Sequence, residues 1–314
     1  MSKSPFANAL ILTGPTGSGK SALALDLAER LGAEIIAADS MTLYRGMDIG
    51  TAKPSLADRA RVPHYLIDVL EPWESANVAW WLQRAEECFA DMTRRGKTAL
   101  FVGGTPFYLK ALLCGLFESP PSDVDLRRRL EVEAERDGPE ALHARLAAVD
   151  AATASRLHAN DVRRVVRALE VWHLTGQPIS VWQQQNWWEG ESPRFPPGAC
   201  LVLDVPRPEL YFRINQRVER MFADGWVDEV RRLRELSRPL SREASVALGY
   251  REIAEYLDGR RSLAETIAEV QLRTRQFAKR QLTWFRALPG CEWGNAKLTF
   301  DRCVTRMSGG SAGT

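Results

Sequence analysis

Short apolar runs alternate with longer amphipathic stretches over the first 118 residues of the chain. Four of these runs have the length of buried strands, and they lie at residues 9–12, 34–38, 64–70 and 98–102. Residues 78–95 have the spacing of an amphipathic helix, which Gly96 ends. Strands that alternate with helices are typical of a doubly wound sheet of parallel strands. The pattern therefore predicts an α/β fold for this part of the chain.

The pattern changes near residues 119–122, where Ser and Pro interrupt it. Residues 125–176 have helical spacing and contain no convincing strand, whereas an apolar run at residues 201–205 indicates a return to the sheet. We therefore expect a core domain that is interrupted by an all-helical insertion. The predicted core comprises residues 1–118 and 199–314, and the predicted insertion comprises residues 119–198.

The rest of the chain is predicted to contain a loop and further helices. The loop, rich in Trp and Pro, lies at residues 182–197. Long amphipathic helices are predicted at residues 209–236, with Gly225 inside, and at residues 264–286. No strand is predicted after residue 205.

A glycine-rich segment, Gly-Pro-Thr-Gly-Ser-Gly-Lys-Ser at residues 14–21, connects the first strand to a helical stretch at residues 22–28. It matches the G-x-x-x-x-G-K-[ST] pattern in the strand, loop and helix setting that the pattern requires. The glycines allow backbone N–H groups to surround an anion, and the following helix adds its positive end. Lys20 adds a full charge, and the Ser21 hydroxyl is placed to bind Mg²⁺. The segment predicts a site for a diphosphate or a triphosphate. Together with the strand and helix pattern, it predicts a P-loop-type doubly wound parallel sheet core with an inserted all-helical domain.

Composition narrows the class of protein. Of the 314 residues, 45% are hydrophobic, and no apolar run reaches the length of a membrane span. The residues before the first strand do not have the pattern of a signal peptide. The five cysteines are scattered and have no metal-ligand spacing, which favours a reducing cytoplasm and argues against structural zinc. With a net charge of +2, any nucleic-acid surface has to come from local clusters.

Two further strands end in polar residues at the edge of the sheet where the glycine loop lies. Residues 34–38 lead into Asp39, and residues 98–102 lead into a Gly-Gly-Thr sequence. Ligands of open parallel sheets bind at the carboxyl ends of the strands, so Asp39 is expected across a cleft from Lys20. A carboxylate there holds Mg²⁺ or accepts a proton from a nucleophile; the alternative is a residue that caps a turn or a helix.

The signature of a nucleotide hydrolase is incomplete. Such enzymes usually have an apolar strand that ends in a Mg²⁺-binding Asp, whereas the most apolar strand here ends in Gly-Gly-Thr and Asp68 is a weaker candidate. The sequence has no Asn-Lys-x-Asp element for guanine. Group transfer therefore fits better than a motor or a switch.

Three basic clusters stand out on a chain that is nearly neutral. They comprise Arg163, Arg164 and Arg167; Arg213, Arg217 and Arg220; and the basic residues within 273–286. Each cluster alone is compatible with a solvated helix face. Together they suggest a polyanion as partner, with phosphate contacts dominating the affinity.

These motifs resemble those of the tRNA dimethylallyltransferases, also called tRNA isopentenyltransferases. The matching motifs lie within residues 14–21, 39–54, 103–108, 160–171, 249–251 and 279–286. The glycine loop alone is unspecific, but the ordered set spans nearly the whole chain and is highly specific. Ser21 stands where many relatives have Thr, which is chemically equivalent toward Mg²⁺. The resemblance implies that the helical insertion holds the anticodon stem-loop of tRNA.

The resemblance also implies a reaction. The dimethylallyl group would move from dimethylallyl diphosphate to N6 of the adenosine at tRNA position 37, just 3′ of the anticodon, with Mg²⁺ as cofactor. Asp39 would take the N6 proton, while Lys20 and Arg217 would act on the leaving diphosphate; Arg213 is the neighbour most easily confused with Arg217. The implied diphosphate-binding residues are Gly14, Thr16, Gly17, Ser18, Gly19, Lys20 and Ser21, with Ser21 as the metal ligand.

The tRNA-binding residues implied by the resemblance lie in both predicted domains. They are Asp39, Ser40, Met41, Thr42, Thr105, Arg127, Arg163, Arg164, Arg167, Gly249, Tyr250, Arg251, Arg280 and Trp284. The enzyme is expected to be a cytoplasmic monomer without membrane contact.

Three other functions stay open on the sequence alone. A P-loop kinase for a nucleotide or small metabolite would consume ATP, but it does not need three basic clusters. An ATP-dependent RNA-binding or chaperone-like protein would hydrolyse ATP without changing the mass of the RNA. A prenyltransferase for free adenine nucleotides, as in the related plant cytokinin-forming enzymes, would modify AMP or ATP as well as tRNA.

Overall fold

The computed structural model describes residues 6–116, 122–184 and 194–309. The chain divides into two compact units, which we call the sheet unit (Met1–Leu113 and Pro193–Thr314) and the helical unit (Cys114–Ser192). The predicted domain boundaries, at residues 118/119 and 198/199, lie a few residues C-terminal to these divisions. The first predicted boundary and most of the predicted loop at residues 182–197 fall outside the described residues.

The strands of the sheet unit are β1 (Ala9–Thr13), β2 (Glu34–Ala37), β3 (His64–Tyr65), β4 (Ala99–Gly103), β5 (Cys200–Leu203) and β6 (Cys291–Gly294). They are all parallel, in the order β3-β2-β4-β1-β5-β6. Strands β1, β2 and β5 are buried throughout, as expected for a sheet covered on both faces. The predicted α/β fold with a doubly wound parallel sheet is confirmed.

The helices follow in chain order: α1 (Lys20–Leu31), α2 (Leu56–Arg61), α3 (Val78–Arg94), α4 (Pro106–Cys114), α5 (Val124–Asp137), α6 (Pro139–Val149), α7 (Ala151–Ala154), α8 (Val162–Thr175), α9 (Ile179–Gln184), α10 (Arg207–Ala223), α11 (Trp226–Arg234), α12 (Arg242–Ser245), α13 (Tyr250–Leu257), α14 (Leu263–Arg286) and α15 (Ala296–Gly309). Helices α5 to α9 belong to the helical unit, and its described residues contain no strand. The predicted helices at residues 78–95 and 264–286 are confirmed as α3 and α14.

The helical unit has its own hydrophobic core. Leu130 of α5, Leu146 of α6 and both Val165 and Leu169 of α8 are buried in one cluster. The apolar positions of these helices recur at helical spacing, so each helix turns one face to this cluster. This packing leaves the charged faces of α5 and α8 available for other roles.

Three predictions for the sheet unit were wrong in detail. The predicted strand at residues 64–70 is only two residues long, because Leu66 and Asp68 have φ angles of 61° and 55°, which no strand accommodates. The predicted helix at residues 209–236 is interrupted at Gly225, where φ is 98°, so that α10 and α11 are separate helices. Strand β6 was not predicted: it lies at the edge of the sheet and only its last residue is buried, so it lacks an apolar pattern.

None of the helices in the described part of the chain combines the length and hydrophobicity that a membrane span requires.

Candidate active site

The glycine loop follows β1, which pairs with both β4 and β5. The Thr13 hydroxyl donates to the carbonyl of Gly103 at 2.7 Å and ties the start of the loop to the end of β4. Gly17 has a φ of 82°, and a Cβ there would lie 2.9 Å from Cγ1 of Ile214 in α10. Both its conformation and its close packing therefore require glycine. Helix α1 begins at Lys20, so its positive end faces the loop.

A cavity of about 1000 Å³ lies next to this loop, within the sheet unit. This volume is at the upper end of the range for small-molecule sites, so the cavity has room for more than one small group. Its wall includes parts of the glycine loop, the segments after β2 and β4, and helices α10 and α14. Apolar side chains of Ile214, Val218, Met221 and Phe277 line it together with polar groups. The sequence-predicted residues Lys20, Asp39 and Arg217 thus share one cavity.

Asp39 is held in a turn just after β2. Its Oδ1 accepts the N–H of Met41 at 2.9 Å, and the hydroxyl of the buried Thr42 donates to its backbone carbonyl at 3.2 Å. The hydroxyl of Thr105 accepts the N–H of Ser40 at 3.0 Å and so supports the same turn from the end of β4. Within the described residues Oδ2 of Asp39 has no hydrogen-bond partner. The carboxylate is fixed at one oxygen and can accept a proton at the other.

Lys20 and Arg217 place two cations at the wall of the cavity. A guanidinium nitrogen of Arg217 donates to the Thr16 hydroxyl at 3.4 Å, and Lys20 lies 3.5 Å from the carbonyl of Pro15. Among the described residues neither cation has a carboxylate within 4.0 Å. Burial and, next, the charge of Arg217 lower the pKa of Lys20 to about 8, although Asp39 acts in the opposite direction. Burial likewise lowers the pKa of Arg217, again against the effect of Asp39.

Arg213, the neighbour of Arg217 on α10, is placed differently. It forms an ion pair with Glu209 at 2.5 Å and donates to the backbone carbonyl of Ser18 at 3.3 Å. Its charge is therefore already compensated, and it supports the outer side of the glycine loop. Arg217, which lines the cavity, is the better placed of the two to meet an anion there.

Glu229 organises a second loop, at residues 47–53. Glu229 was not identified as a functional residue from the sequence. Its buried carboxylate accepts the backbone N–H groups of Asp48, Ile49 and Gly50 at 2.8, 2.7 and 3.1 Å. It also accepts the hydroxyl of Tyr250 at 2.7 Å. No sequence signal distinguishes Glu229 from the other acidic residues of α11, because its backbone N–H partners lie about 180 positions away.

Gly249 and Tyr250, predicted to bind tRNA, have clear structural roles in this structure. A Cβ at Gly249, where φ is 91°, would lie 2.2 Å from the ring of Trp226, so only glycine fits. Burial and the neighbouring charge of Glu229 raise the pKa of Tyr250, whose hydroxyl is bound to that carboxylate. Their contact with RNA stays a prediction.

Three of the other predicted tRNA-binding residues of the sheet unit are more accessible, whereas Thr42 is buried. Arg251 and Arg280 are exposed and line the cavity, and Met41 is half-buried at its wall. Arg251 lies 3.4 Å from Glu252, and the guanidinium of Arg280 lies 5.9 Å from the ring centroid of Phe277.

Trp284 is 38% exposed on α14. Its indole ring is therefore partly available to a base, although the contact itself stays a prediction.

In the helical unit, a buried carboxylate joins two of the predicted tRNA-binding arginines. Oε2 of Glu170, which is fully buried, lies 2.9 Å from Nε of Arg127 and 2.5 Å from a guanidinium nitrogen of Arg167. Arg164 pairs with Asp161 at 3.1 Å, and Arg163 is exposed. Three of the four predicted tRNA-binding arginines of this unit are thus paired with carboxylates.

Gln281 of α14 was not singled out from the sequence, yet it connects two segments of the cavity wall. Its Oε1 accepts the backbone N–H of Thr16 at 2.8 Å, and its Nε2 donates to the carbonyl of Gly104 at 2.6 Å. The side chain is buried. Its position within the matching motif at residues 279–286 was the only sequence signal that pointed near it.

Comparisons with known proteins identify the family of this chain. A family model described as IPP transferase matches residues 42–288, and one described as isopentenyl transferase matches residues 7–67. Proteins named tRNA dimethylallyltransferase from Geobacter metallireducens and Geobacter sulfurreducens are similar over 302 and 298 residues. They are 48% and 47% identical to this chain, and the alignments cover 96% and 94% of both partners.

Solved structures are similar as well. A tRNA isopentenylpyrophosphate transferase from Bacillus halodurans is 34% identical with a TM-score of 0.68, and the alignment covers 96% of both chains. A eukaryotic dimethylallyltransferase acting on tRNA is 26% identical with a TM-score of 0.77, covering 96% of this chain and 78% of that one. The family model that spans residues 42–288, together with 48% identity over almost the whole length, shows that the chain belongs to the IPP transferase family.

Proposed function

We propose that this protein is a tRNA dimethylallyltransferase. It moves the dimethylallyl group of dimethylallyl diphosphate to N6 of adenosine 37, just 3′ of the tRNA anticodon. The observation that carries the proposal is the presence of Lys20, Arg217 and Asp39 around one cavity beside the glycine loop. The names of the two Geobacter relatives support the choice of substrates, as does the similar structure of a eukaryotic dimethylallyltransferase acting on tRNA.

The glycine loop and its two cations would hold the leaving diphosphate. As the allylic C–O bond breaks, its electron pair stays with the diphosphate and negative charge grows on the departing oxygen. Lys20 and Arg217 lie at the wall of the cavity, and no carboxylate of the described residues lies within 4.0 Å of either, so their charges are available to stabilise this change. Preorganised cations of this kind usually supply a large part of a rate enhancement.

Asp39 would act on the accepting nitrogen. An exocyclic amine on an aromatic ring is a weak nucleophile, so it gains from a base that is already in position. The carboxylate takes the proton from N6 as the C–N bond forms, and the reaction then yields N6-(dimethylallyl)adenosine and diphosphate. The hydrogen bond from Met41 to Oδ1 fixes the orientation of the carboxylate for this task.

The residues at the loop also fit Mg²⁺. The Ser21 hydroxyl is a hard oxygen donor that lies on the cavity wall next to Lys20. The described residues contain no cluster of three or more His, Cys, Asp or Glu side chains suited to a metal, which agrees with an ion that takes its other ligands from phosphate and water. Bound there, Mg²⁺ would neutralise charge on the diphosphate.

The RNA would be held by arginines of both units. In the helical unit these are Arg127, Arg163, Arg164 and Arg167, and a loop with splayed bases is the usual target of such groups. The target adenosine has to leave its stack to reach Asp39. Action as a cytoplasmic monomer stays part of this proposal.

The test is a transfer assay with mass readout. The protein is incubated with Mg²⁺, dimethylallyl diphosphate and an unmodified anticodon stem-loop that carries adenines beside the anticodon. Asp39→Ala and Lys20→Ala are run in parallel, with Asp224→Asn as a matched control, because Asp224 is an exposed carboxylate at the end of α10. We expect the RNA to gain one dimethylallyl group with the wild type and the control, and not with the other two variants.

Other outcomes would select a different function. An unchanged mass, for intact tRNA as well as for the stem-loop, would rule out prenyl transfer to tRNA. Prenylation of AMP at a rate similar to that of RNA would indicate an enzyme for free adenine nucleotides. ATP hydrolysis that rises with RNA while the RNA mass stays constant would indicate an ATP-dependent RNA-binding protein.

A further inference from the structure

Gln281 is a buried amide in the stretch of α14 that also carries Arg280, which is predicted to contact RNA. Only 2% of its surface is exposed. Its two hydrogen bonds reach the glycine loop at Thr16 and the segment after β4 at Gly104, with lengths of 2.8 and 2.6 Å. One side chain therefore joins α14 to both loops at the carboxyl ends of β1 and β4.

The chemistry of the amide suits this position. Thr16 offers an N–H and Gly104 offers a carbonyl, so the connecting side chain has to accept at one end and donate at the other. A buried amide whose two ends are both bonded is expensive to displace, because each broken bond leaves an unpaired polar group. The backbone of the glycine loop is thus fixed to α14 through Thr16.

Thr16 also connects this bond to the cations. Its hydroxyl contacts Arg217 at 3.4 Å, while its backbone N–H is bound to Gln281. Lys20, four residues further along the same loop, lines the same cavity. Thr16 is therefore bonded both to α14 and to one of the two cations at the wall of the cavity.

We propose that Gln281 is a positioning residue that couples the docking of RNA on α14 to the binding of diphosphate in the glycine loop. The proposal rests on the proposed function, since it assigns RNA to α14 and diphosphate to the loop. Binding of RNA near Arg280 fixes α14, and Gln281 then holds the glycine loop in its anion-binding form. Because coupling is reciprocal, diphosphate must increase the affinity for RNA by the same factor.

The experiment measures binding without turnover. Inorganic diphosphate with Mg²⁺ is titrated calorimetrically into the full-length protein, alone and with a saturating unmodified anticodon stem-loop. For the wild type we expect the RNA to tighten diphosphate binding by about fivefold or more. For Gln281→Met, which keeps the size of the side chain, we expect weaker diphosphate binding, by about tenfold, and no effect of RNA.

The matched control is Gln271→Met, on the same helix. Gln271 also forms two hydrogen bonds, to the carbonyl of Asn215 at 3.3 Å and to Glu219 at 3.0 Å, but neither partner belongs to the glycine loop. This variant should retain the wild-type coupling. If Gln281→Met does not fold, Gln281→Asn gives the same test without a change of charge: its side chain is one methylene too short to reach both Thr16 and Gly104, and it should lose the coupling.

Two results would overturn the proposal: no effect of RNA on diphosphate binding in the wild type, or undiminished coupling in the Gln281 variants. Failure of the proposed function would look different. In that case the wild type would not transfer a dimethylallyl group in the mass assay, whatever the binding titrations give.

Discussion

Cations in the two units of this protein differ in whether a carboxylate is paired with them. At the cavity of the sheet unit, Lys20 and Arg217 have no carboxylate within 4.0 Å among the described residues. In the helical unit, Arg127 and Arg167 share the fully buried carboxylate of Glu170. Lys20 and Arg217 are desolvated and only partly compensated by the more distant charge of Asp39, whereas Arg127 and Arg167 are paired directly with a carboxylate.

The difference distinguishes cations that are available to bind an anionic ligand, Lys20 and Arg217, from cations that a carboxylate of the fold holds in place, Arg127 and Arg167. Burial and the neighbouring charge of Arg217 disfavour the charged form of Lys20 and lower its pKa to about 8, so the charged lysine costs stability in the free protein. A bound diphosphate would remove that cost, so part of its binding energy comes from the cations it meets. The ion pairs with Glu170 fix the orientation of Arg127 and Arg167 before any polyanion binds.

The largest effect should come from removing Arg217. Arg217→Met should lower kcat/KM for dimethylallyl diphosphate by about 10²–10³, because it removes a desolvated charge that the transition state needs. Arg213→Met, which removes a cation already paired with Glu209, should lower it by less than about tenfold. Steady-state kinetics at saturating RNA give both values. Equal losses of kcat/KM in the two variants would mean that the absence of a carboxylate partner does not identify the cation that stabilises the transition state.

Loss of Glu170 should destabilise the helical unit. Glu170→Gln removes the charged acceptor of Arg127, Arg167 and the backbone N–H of Asp123, and should cost about 2 kcal/mol of local stability. Hydrogen exchange of peptides from α5 and α8 measures this directly.

Glu135→Gln, at an exposed position of α5, is the control for this measurement and should leave the protection unchanged. Unchanged protection in Glu170→Gln as well would show that the shared carboxylate does not stabilise the unit.

Removing Lys20 should have the opposite effect on stability. Its pKa is lower in the folded protein than the ordinary 10.5, so the native state binds fewer protons than the unfolded state between pH 8 and 10.5. The charged lysine therefore costs stability at pH 7, and Lys20→Met should stabilise the ligand-free protein by roughly 1–3 kcal/mol.

This gain should shrink as the pH rises from 8 toward 10.5, because the wild type then loses the charge. Denaturant unfolding at pH 7 and pH 9.5 tests both points, with Lys97→Met as an exposed control. Destabilisation by Lys20→Met at pH 7 would contradict the view that the charge of this lysine costs stability in the folded protein.

The smallest effect is the pH dependence of diphosphate affinity. A pKa of about 8 for Lys20 means that the free protein loses this charge above pH 8. Relative to Lys20→Arg, which stays charged, the wild-type Kd for diphosphate should rise about threefold between pH 7.5 and 8.5. Calorimetric titration over this range measures the ratio of the two constants, and a constant ratio would contradict the lowered pKa.

Local and distant features differ in how far the sequence predicts them. The glycine loop and Asp39 could be predicted because contiguous patterns and the ends of apolar strands define them. Strand β6 could not, since an edge strand with mostly exposed side chains has no hydrophobic signature. Gln281 could not either, because its two partners lie 265 and 177 positions away and only the fold brings them together.

The central claim is that Lys20 is a desolvated cation that awaits an anion. The most direct test is an NMR titration of its side chain in lysine-labelled protein, with the signal assigned by Lys20→Arg. We predict a pKa of about 8 without ligand. In the presence of inorganic diphosphate and Mg²⁺ the pKa should rise above its ligand-free value by more than one unit, to about 10. An ordinary pKa in the free protein, or one that diphosphate leaves unchanged, would contradict the account.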